Sequence, residues 1–287
     1  MTGTLYVVAT PIGNLEDITL RALRVLRRVD LLACEDTRQT TKLLNHYQIS
    51  LPLTSYHEHN EREKADYLLE QLRAGKQVGL VSDSGTPCIS DPGYRLVRAA
   101  LECGIRVVPI PGASALVAAI SASGRPSDEF VFLGFLPSRK GPRRTFLQKL
   151  KAEPRTLVLY ESPRRLLESL SDIGDILGNR QLTVAREVTK IHEEFFWGQV
   201  SEAIEHFRPR SVRGEMVLIL ERGELPRTSA GVLNAEEMDL LVRKAMTVHG
   251  IGRSNAIKLV AAQWNISRRD LYQLLIPNTK TSTGGEL

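Results

Sequence analysis

QVGLVSDSGTPCISDPG, residues 77–93, decides how the chain is read. Its first six residues form a short apolar run ending in serine, the pattern of a strand buried on both faces. The rest is mostly Ser, Asp, Gly, Thr and Pro, which expose backbone amides and small side chains. In an α/β protein that composition falls where the sheet's carboxyl edge opens, the place where such proteins hold ligands. A Gly/Pro-rich turn into a helix capped by Asp91 and Pro92 would account for the same letters. Loops this long and polar are unusual as mere connections, however.

Working outward, TLYVVAT (4–10), LLACE (31–35) and RVVPIP (106–111) repeat the short apolar run, each separated from the next by a helix-like segment. In DITLRALRVLRRV, Ile18, Ala22, Val25 and Val29 recur at helical spacing, with Arg21, Arg24 and Arg28 on the other face. Strands alternating with helices predict a mostly parallel sheet, an N-terminal α/β domain over 1–123. Gly124-Arg-Pro-Ser127 breaks the rhythm. Beyond it FVFLGFL (130–136), TLVLYES (156–162), LTVARE (182–187), EEFFWGQV (193–200) and GEMVLIL (214–220) predict five strands. Two helices, near 142–152 and 164–177, give a mixed α+β domain over 124–225. GELPRTSAG (223–231) is the expected linker. A helical module follows over 232–287, with Ser254 and Ser267 as N-caps and a frayed tail, NTKTSTGGEL.

The composition limits the possibilities. With 287 residues, 42% hydrophobic and 25% charged, the chain has the makeup of a globular protein. The net charge of +5 permits an acidic partner such as RNA without requiring one. Cys34, Cys88 and Cys103 have no C-x-x-C spacing, which argues against a disulfide framework or a thiolate zinc site. His57 and His59, beside Glu58 and Glu61, have no distant partner set, so no metal is expected. The absence of a basic leader or a long apolar run predicts a cytoplasmic protein that meets no membrane. Neither G-x-G-x-x-G nor G-x-x-x-x-G-K-[ST] occurs. ATPIGN (9–14) and PGASA (111–115) end two further strands, so three loops of one sheet are expected to converge on one crevice.

TLYVVATPIGNLEDIT, LLACEDTR, SDSGTPCISDPG, PGASA, FLGFLP, YESPRR, REVTKIHEE and RGEMVLIL, in this order over residues 3–276, resemble the tetrapyrrole methylase superfamily. The resemblance is strongest to its branch that methylates the ribose 2′-hydroxyl of a cytidine in small-subunit (16S) ribosomal RNA. Two positions depart from the pattern: Cys88 stands where Ala or Gly is usual, and Arg164 where His is. The resemblance implies S-adenosyl-L-methionine as donor, held between the first two domains, and a homodimer working on the small ribosomal subunit. It carries the donor site onto Pro11, Asp83, Ser84, Gly85, Thr86, Ile89, Ser114, Ala115 and Glu161. Backbone amides would take the donor's carboxylate and Asp83 its ammonium.

A ribose hydroxyl is a weak nucleophile, so a base or an orienting group would help it. CEDTRQTTK (34–42) offers Glu35, Asp36 and Arg38 at the end of the second strand, although Asp36 or Thr37 would also suit capping the next helix. REVTKIHEE (186–194) offers Lys190, with His192, Glu193 and Glu194, on the second domain's facing edge, where a purely structural strand edge accounts for the same residues equally well. For RNA phosphates the basic run RKGPRR supplies Arg139, Lys140, Arg143 and Arg144. Residues 227–270 hold seven Arg or Lys against four Asp or Glu. Arg253, Lys258, Arg268 and Arg269 stand there beside an apolar face of Ile257, Val260, Ala261 and Trp264, which suits a helix-turn-helix-like RNA-binding unit or a structural cap. Two rival functions remain open, a tetrapyrrole C-methyltransferase and a non-enzymatic RNA-binding protein.

Overall fold

The computed structural model describes residues 2–223, 235–263 and 267–275. The chain divides into two compact units at Glu224 and Leu225. In the first unit, β1 (Thr4–Val8), α1 (Leu20–Leu26), β2 (Leu31–Cys34), α2 (Thr37–His46), β3 (Leu53–Ser55), α3 (Glu61–Arg73), β4 (Val78–Val81), α4 (Tyr94–Glu102), β5 (Arg106–Ile110) and α5 (Ala115–Ser121) alternate. The sheet is parallel throughout, in the order β3-β2-β4-β1-β5. Every residue of β2 and β4 is buried. Leu68, Leu72 and Leu96 cover one face and Ala22, Leu26 and Leu44 the other, which is why these strands are continuously apolar.

The second sheet collects β6 (Phe130–Phe135), β7 (Thr156–Glu161), β8 (Gln181–Arg186), β9 (Glu194–Gln199) and β10 (Met216–Leu220) in the order β6-β7-β10-β8-β9. Only β6 and β7 run parallel, so the sheet is mixed. Leu147 of α6 (Lys140–Lys149), Leu166, Leu170 and Ile173 of α7 (Leu166–Leu177) and Phe207 of α8 (Val200–Phe207) bury one face. Ala119 and Ile120 of α5 pack on the other, against Val158, Ala185, Val217 and Ile219. A helix of the first layer thus seals the second sheet, which fixes the cleft between the two sheets.

The first unit departs from expectation at four points. No run in the sequence marks β3, whose three half-buried residues carry too little pattern to read. The predicted first helix is shorter, because Thr19 accepts from Ala22 N–H at 3.0 Å and starts α1 after Ile18. The chain expected to end its strand at Val200 turns there into α8, where Glu202 accepts from Gln199 N–H at 2.6 Å. Gly93, not Asp91 or Pro92, occupies the cap of α4, at φ +142°.

The second unit contains α9 (Ala235–His249), α10 (Arg253–Gln263) and α11 (Arg268–Leu274). Met238, Val242, Ile257, Val260 and Leu271 form its core. Ser254 lies inside the first turn of α10 rather than capping it, and Gly252 accepts from Asn255 and Ala256 N–H. The linker beyond Gly223, Trp264 and the tail from 278 to 287 lie outside the described residues.

Candidate active site

The loops 9–14, 82–93 and 111–115 meet at the carboxyl edge of the parallel sheet. Thr10 N–H donates to the Gly85 carbonyl at 2.9 Å and Gly85 N–H to the Thr10 carbonyl at 3.1 Å. The Thr86 hydroxyl donates to the Ala113 carbonyl at 3.2 Å and ties in the third loop. With the edge of the second sheet they line a concave, partly apolar cavity of the kind small molecules occupy.

Ser84, Gly85, Thr86, Ile89, Ser114, Ala115 and Glu161 line this cavity. Phe135 and Tyr160, with ring centroids 5.6 Å apart, and Ala185 and Val217 supply apolar walls. Pro11 and Asp83 line a second, more open and more polar cavity, with Gln39, Thr40 and Lys42 of α2. Ile12, Ser84, Lys190 and Glu215 line both cavities and mark the seam between them.

Most of the cavity's carboxylates are matched by cations of the protein. Glu161 is buried, accepts from the Ser169 hydroxyl at 2.5 Å and Ser162 N–H at 2.7 Å, and pairs with Arg165 at 2.9 Å. Lys190 Nζ lies 2.8 Å from Glu187 and 3.8 Å from Glu215. Burial alone would raise the Glu187 pKa, but the Lys190 hydrogen bond and charge, the Glu215 amide and the Arg186 charge together outweigh it and hold the group below its ordinary value. Lys190 also packs over the first loop, where a Cβ on Gly13 would come within 2.2 Å of its Cγ.

Asp36, Glu35 and Arg38 line neither cavity. Asp36 caps α2, accepting from Arg38 N–H at 2.8 Å, and binds the Arg38 guanidinium at 2.7 and 3.1 Å. Those Arg38 contacts hold its carboxyl at about 2. It is therefore a poor proton acceptor, though its own N–H donates to Asp83 at 2.9 Å. Burial pushes the Glu35 carboxyl up, with Asp83 adding to the shift and His57 opposing it.

The basic run divides. Arg139 and Lys140 are exposed and make no ion pair among the described residues. Arg143 is buried and contradicts its expected role: its Nε lies 2.7 Å from Asp172. Arg144 pairs with Asp172 at 2.6 Å and Asp175 at 2.9 Å. In the second unit Arg253 pairs with Asp239 and Arg268 donates to Ser254, while Lys258 and Arg269 are exposed without an ion pair among the described residues. Among the described residues no group of His, Cys, Asp or Glu is placed to hold a metal ion.

Several lining residues carry no clear signal in the sequence. Tyr160 adjoins Glu161 in TLVLYE, and Asp91 lies inside the 77–93 run, where it reads as a cap. Glu187 and Glu215 are hidden at the ends of strands, where charges are common.

The chain matches the family model of tetrapyrrole (corrin/porphyrin) methylases over residues 4–204. It is 48% identical over 273 residues to ribosomal RNA small subunit methyltransferase I of Synechocystis sp., covering 95% of this chain and 97% of that one. The protein of the same name from Thermotoga maritima is 51% identical over 222 residues, 77% of this chain and 100% of its own. Among solved structures, uroporphyrin-III C-methyl transferase from Thermus thermophilus, complexed with S-adenyl homocysteine, has a TM-score of 0.54 at 24% identity, over 78% of this chain and 99% of that one.

Proposed function

The chain belongs to the tetrapyrrole methylase family, and on that premise we propose that it methylates the ribose 2′-hydroxyl of a cytidine in small-subunit ribosomal RNA, with S-adenosyl-L-methionine as donor. The observation that carries this is the pair of cavities sharing Ile12, Ser84, Lys190 and Glu215. One is walled with apolar and small residues, as a nucleoside-bearing donor requires. The other is polar and open, as a nucleotide substrate requires. The relatives' names direct the choice of RNA over a tetrapyrrole.

The residues present fit the donor. Gly85, at φ +78°, keeps the main chain bare at the cavity wall. Ser84, Thr86, Ser114 and Ala115 would hold its polar end, and Tyr160, Ile89 and Val217 its ring. When bound, the donor supplies a methyl group already activated on a sulfonium. The protein's task is then mainly alignment of the attacking oxygen. Lys190, ion-paired, has donors and no acceptor, so it orients an oxygen at the seam rather than deprotonating it. Asp36 and Arg38 act through Asp83, which the Asp36 amide holds, and Glu35 contributes to the field there. Arg139, Lys140, Lys258 and Arg269 meet phosphates of the RNA. The enzyme works in the cytoplasm as a homodimer, on the small subunit.

The test is incubation with radiolabelled donor and 16S RNA, small subunits or uroporphyrinogen, followed by nucleoside analysis. Label in 2′-O-methylcytidine is expected, and label in the tetrapyrrole alone would overturn the assignment. In the same assay Lys190→Ala should lower turnover about 10²-fold, with donor affinity changed far less. An unchanged single-turnover rate would remove Lys190 from the reaction.

A further inference from the structure

We propose that Asp91 is the counter-ion that the positively charged methyl donor meets in its cavity, a role that rests on the methyl-transfer reading above. Four carboxylates line the cavity. Three already have a cation within the protein: Glu161 has Arg165 at 2.9 Å, and Glu187 and Glu215 share Lys190 at 2.8 and 3.8 Å. Asp91 alone has no ion pair among the described residues. It lines the donor cavity and not the polar one, so it faces the donor rather than the nucleophile.

The backbone holds Asp91 there at a cost in strain. Cys88 at φ +72° and Ser90 at φ +64° are both left-handed without being glycine. Gly93, at φ +142°, leaves room for the loop to fold back: a Cβ there would lie 2.6 Å from Cys88 Sγ and 2.9 Å from Leu80. Ser90 in turn sits against Gly134 of the second sheet, 3.3 Å from where its Cβ would be. A segment fastened on both sides in an unfavourable conformation presents its one charged side chain to the cavity.

The surroundings make that charge costly without a ligand. Burial first, then the negative charges of Glu35 after β2, Asp83 after β4 and Glu215 before β10, push the Asp91 carboxyl up to about 6, with the Ser82 hydroxyl opposing them. Tyr160 on β7 and Cys88 in the same loop face it as well, each with its own ionisation pushed up partly by Asp91. The one cation among the cavity's lining residues, Lys190, is paired with Glu187 and Glu215. A ligand bearing positive charge relieves this repulsion and favours the ionised carboxylate, so binding below about pH 6 must release a proton. Binding of the donor to the ionised form makes affinity rise with pH, about tenfold between pH 5 and pH 8 for one such group.

Calorimetry of the full-length protein with S-adenosylmethionine, in two buffers of different ionisation enthalpy from pH 5 to 8, tests this. Wild type should show the tenfold rise and proton release near pH 5.5. Asp91→Asn should bind at least tenfold more weakly at pH 7.5, with a flat pH profile, and Asp91→Glu should restore part of both. S-adenosylhomocysteine separates the two charges of the donor, since it keeps the ammonium and lacks the sulfonium. An equal loss for both ligands assigns Asp91 to the ammonium, and a loss for the donor alone assigns it to the sulfonium.

Thermal melting guards against a folding defect. A raised carboxyl pKa in the folded state stabilises the protein at low pH, and the contribution disappears as pH rises through 6. Asp91→Asn should therefore melt higher than the ligand-free wild type at pH 8, with the gap about halved at pH 5. A variant that binds the donor like wild type, or keeps its pH dependence, overturns the assignment of Asp91. Failure of the wild type to bind the donor at all would instead overturn the methyl-transfer reading.

Discussion

Gly85→Val abolishes donor binding while the protein stays folded. Gly85 lies at φ +78°, and its Cβ would stand 3.3 Å from Ile12 Cγ2 at the wall of the donor cavity. Two branched methyls beyond that Cβ have only the cavity to enter, since Thr10 is bridged to the main chain on the other side. Calorimetry should register at least a 10²-fold loss in affinity, because the ligand and the side chain compete for one volume. Left-handed backbone costs a branched residue about 1–2 kcal/mol by itself, so stability must be separated from occlusion. Gly104 provides the control. It has a comparable φ of +68° but nothing within 4 Å of its Cβ, and it lies at the end of α4, outside both cavities. Gly104→Val should lose similar stability and keep donor affinity. Wild-type affinity in Gly85→Val would mean that the donor sits elsewhere.

Gly85 also illustrates what the sequence makes legible. The run 77–93 specifies a buried strand and a bare polar loop, because VGLV suits only a doubly covered strand and SDSGTP only an exposed edge. Alternation of such runs with helices implies the parallel sheet, and three loop ends of one sheet imply the crevice. Charges are harder, since a single chain does not say which charge faces which. Asp172 lies on the mainly apolar buried face of α7, with Leu166, Ser169, Leu170, Ile173 and Ile176, and Arg143 precedes Leu147 by one helical turn on α6. Nothing local joins them across 29 residues. The basic run therefore reads as one surface, although its third cation is a core residue. Asp91 is obscure for a related reason: its neighbours Glu35, Asp83 and Glu215 come from separate strand ends, and only the folded edge brings them together.

That division of the basic run sets two opposite outcomes within six residues. Arg143→Ala removes a guanidinium whose side chain is 2% exposed and leaves Asp172, 4% exposed, with Arg144 alone. Leaving a buried charge wholly without a partner costs roughly 3–5 kcal/mol, and since Asp172 keeps Arg144 the loss here should fall below that ceiling. Chemical denaturation should show that loss, and Arg143→Leu with Asp172→Leu should recover much of it, since an apolar pair needs no compensation there. Two-state unfolding at wild-type stability in Arg143→Ala would show that the pair contributes little. Arg139→Ala with Lys140→Ala should do the reverse, leaving the denaturation midpoint nearly unchanged, because neither side chain is ion-paired among the described residues. If both meet phosphates, RNA affinity falls and the log–log salt slope flattens by about 0.7–0.9 for each phosphate no longer neutralised. The second unit can be tested on the same scale. Deleting 232–287 should flatten the slope further and leave donor affinity intact, since every residue lining the donor cavity precedes Leu218. The Thermotoga maritima relative, matched along its whole length over 222 residues, has about the extent of the first unit alone. Salt slopes identical in the full-length and shortened proteins would remove the helical unit from RNA binding and leave Arg139 and Lys140 to account for the slope.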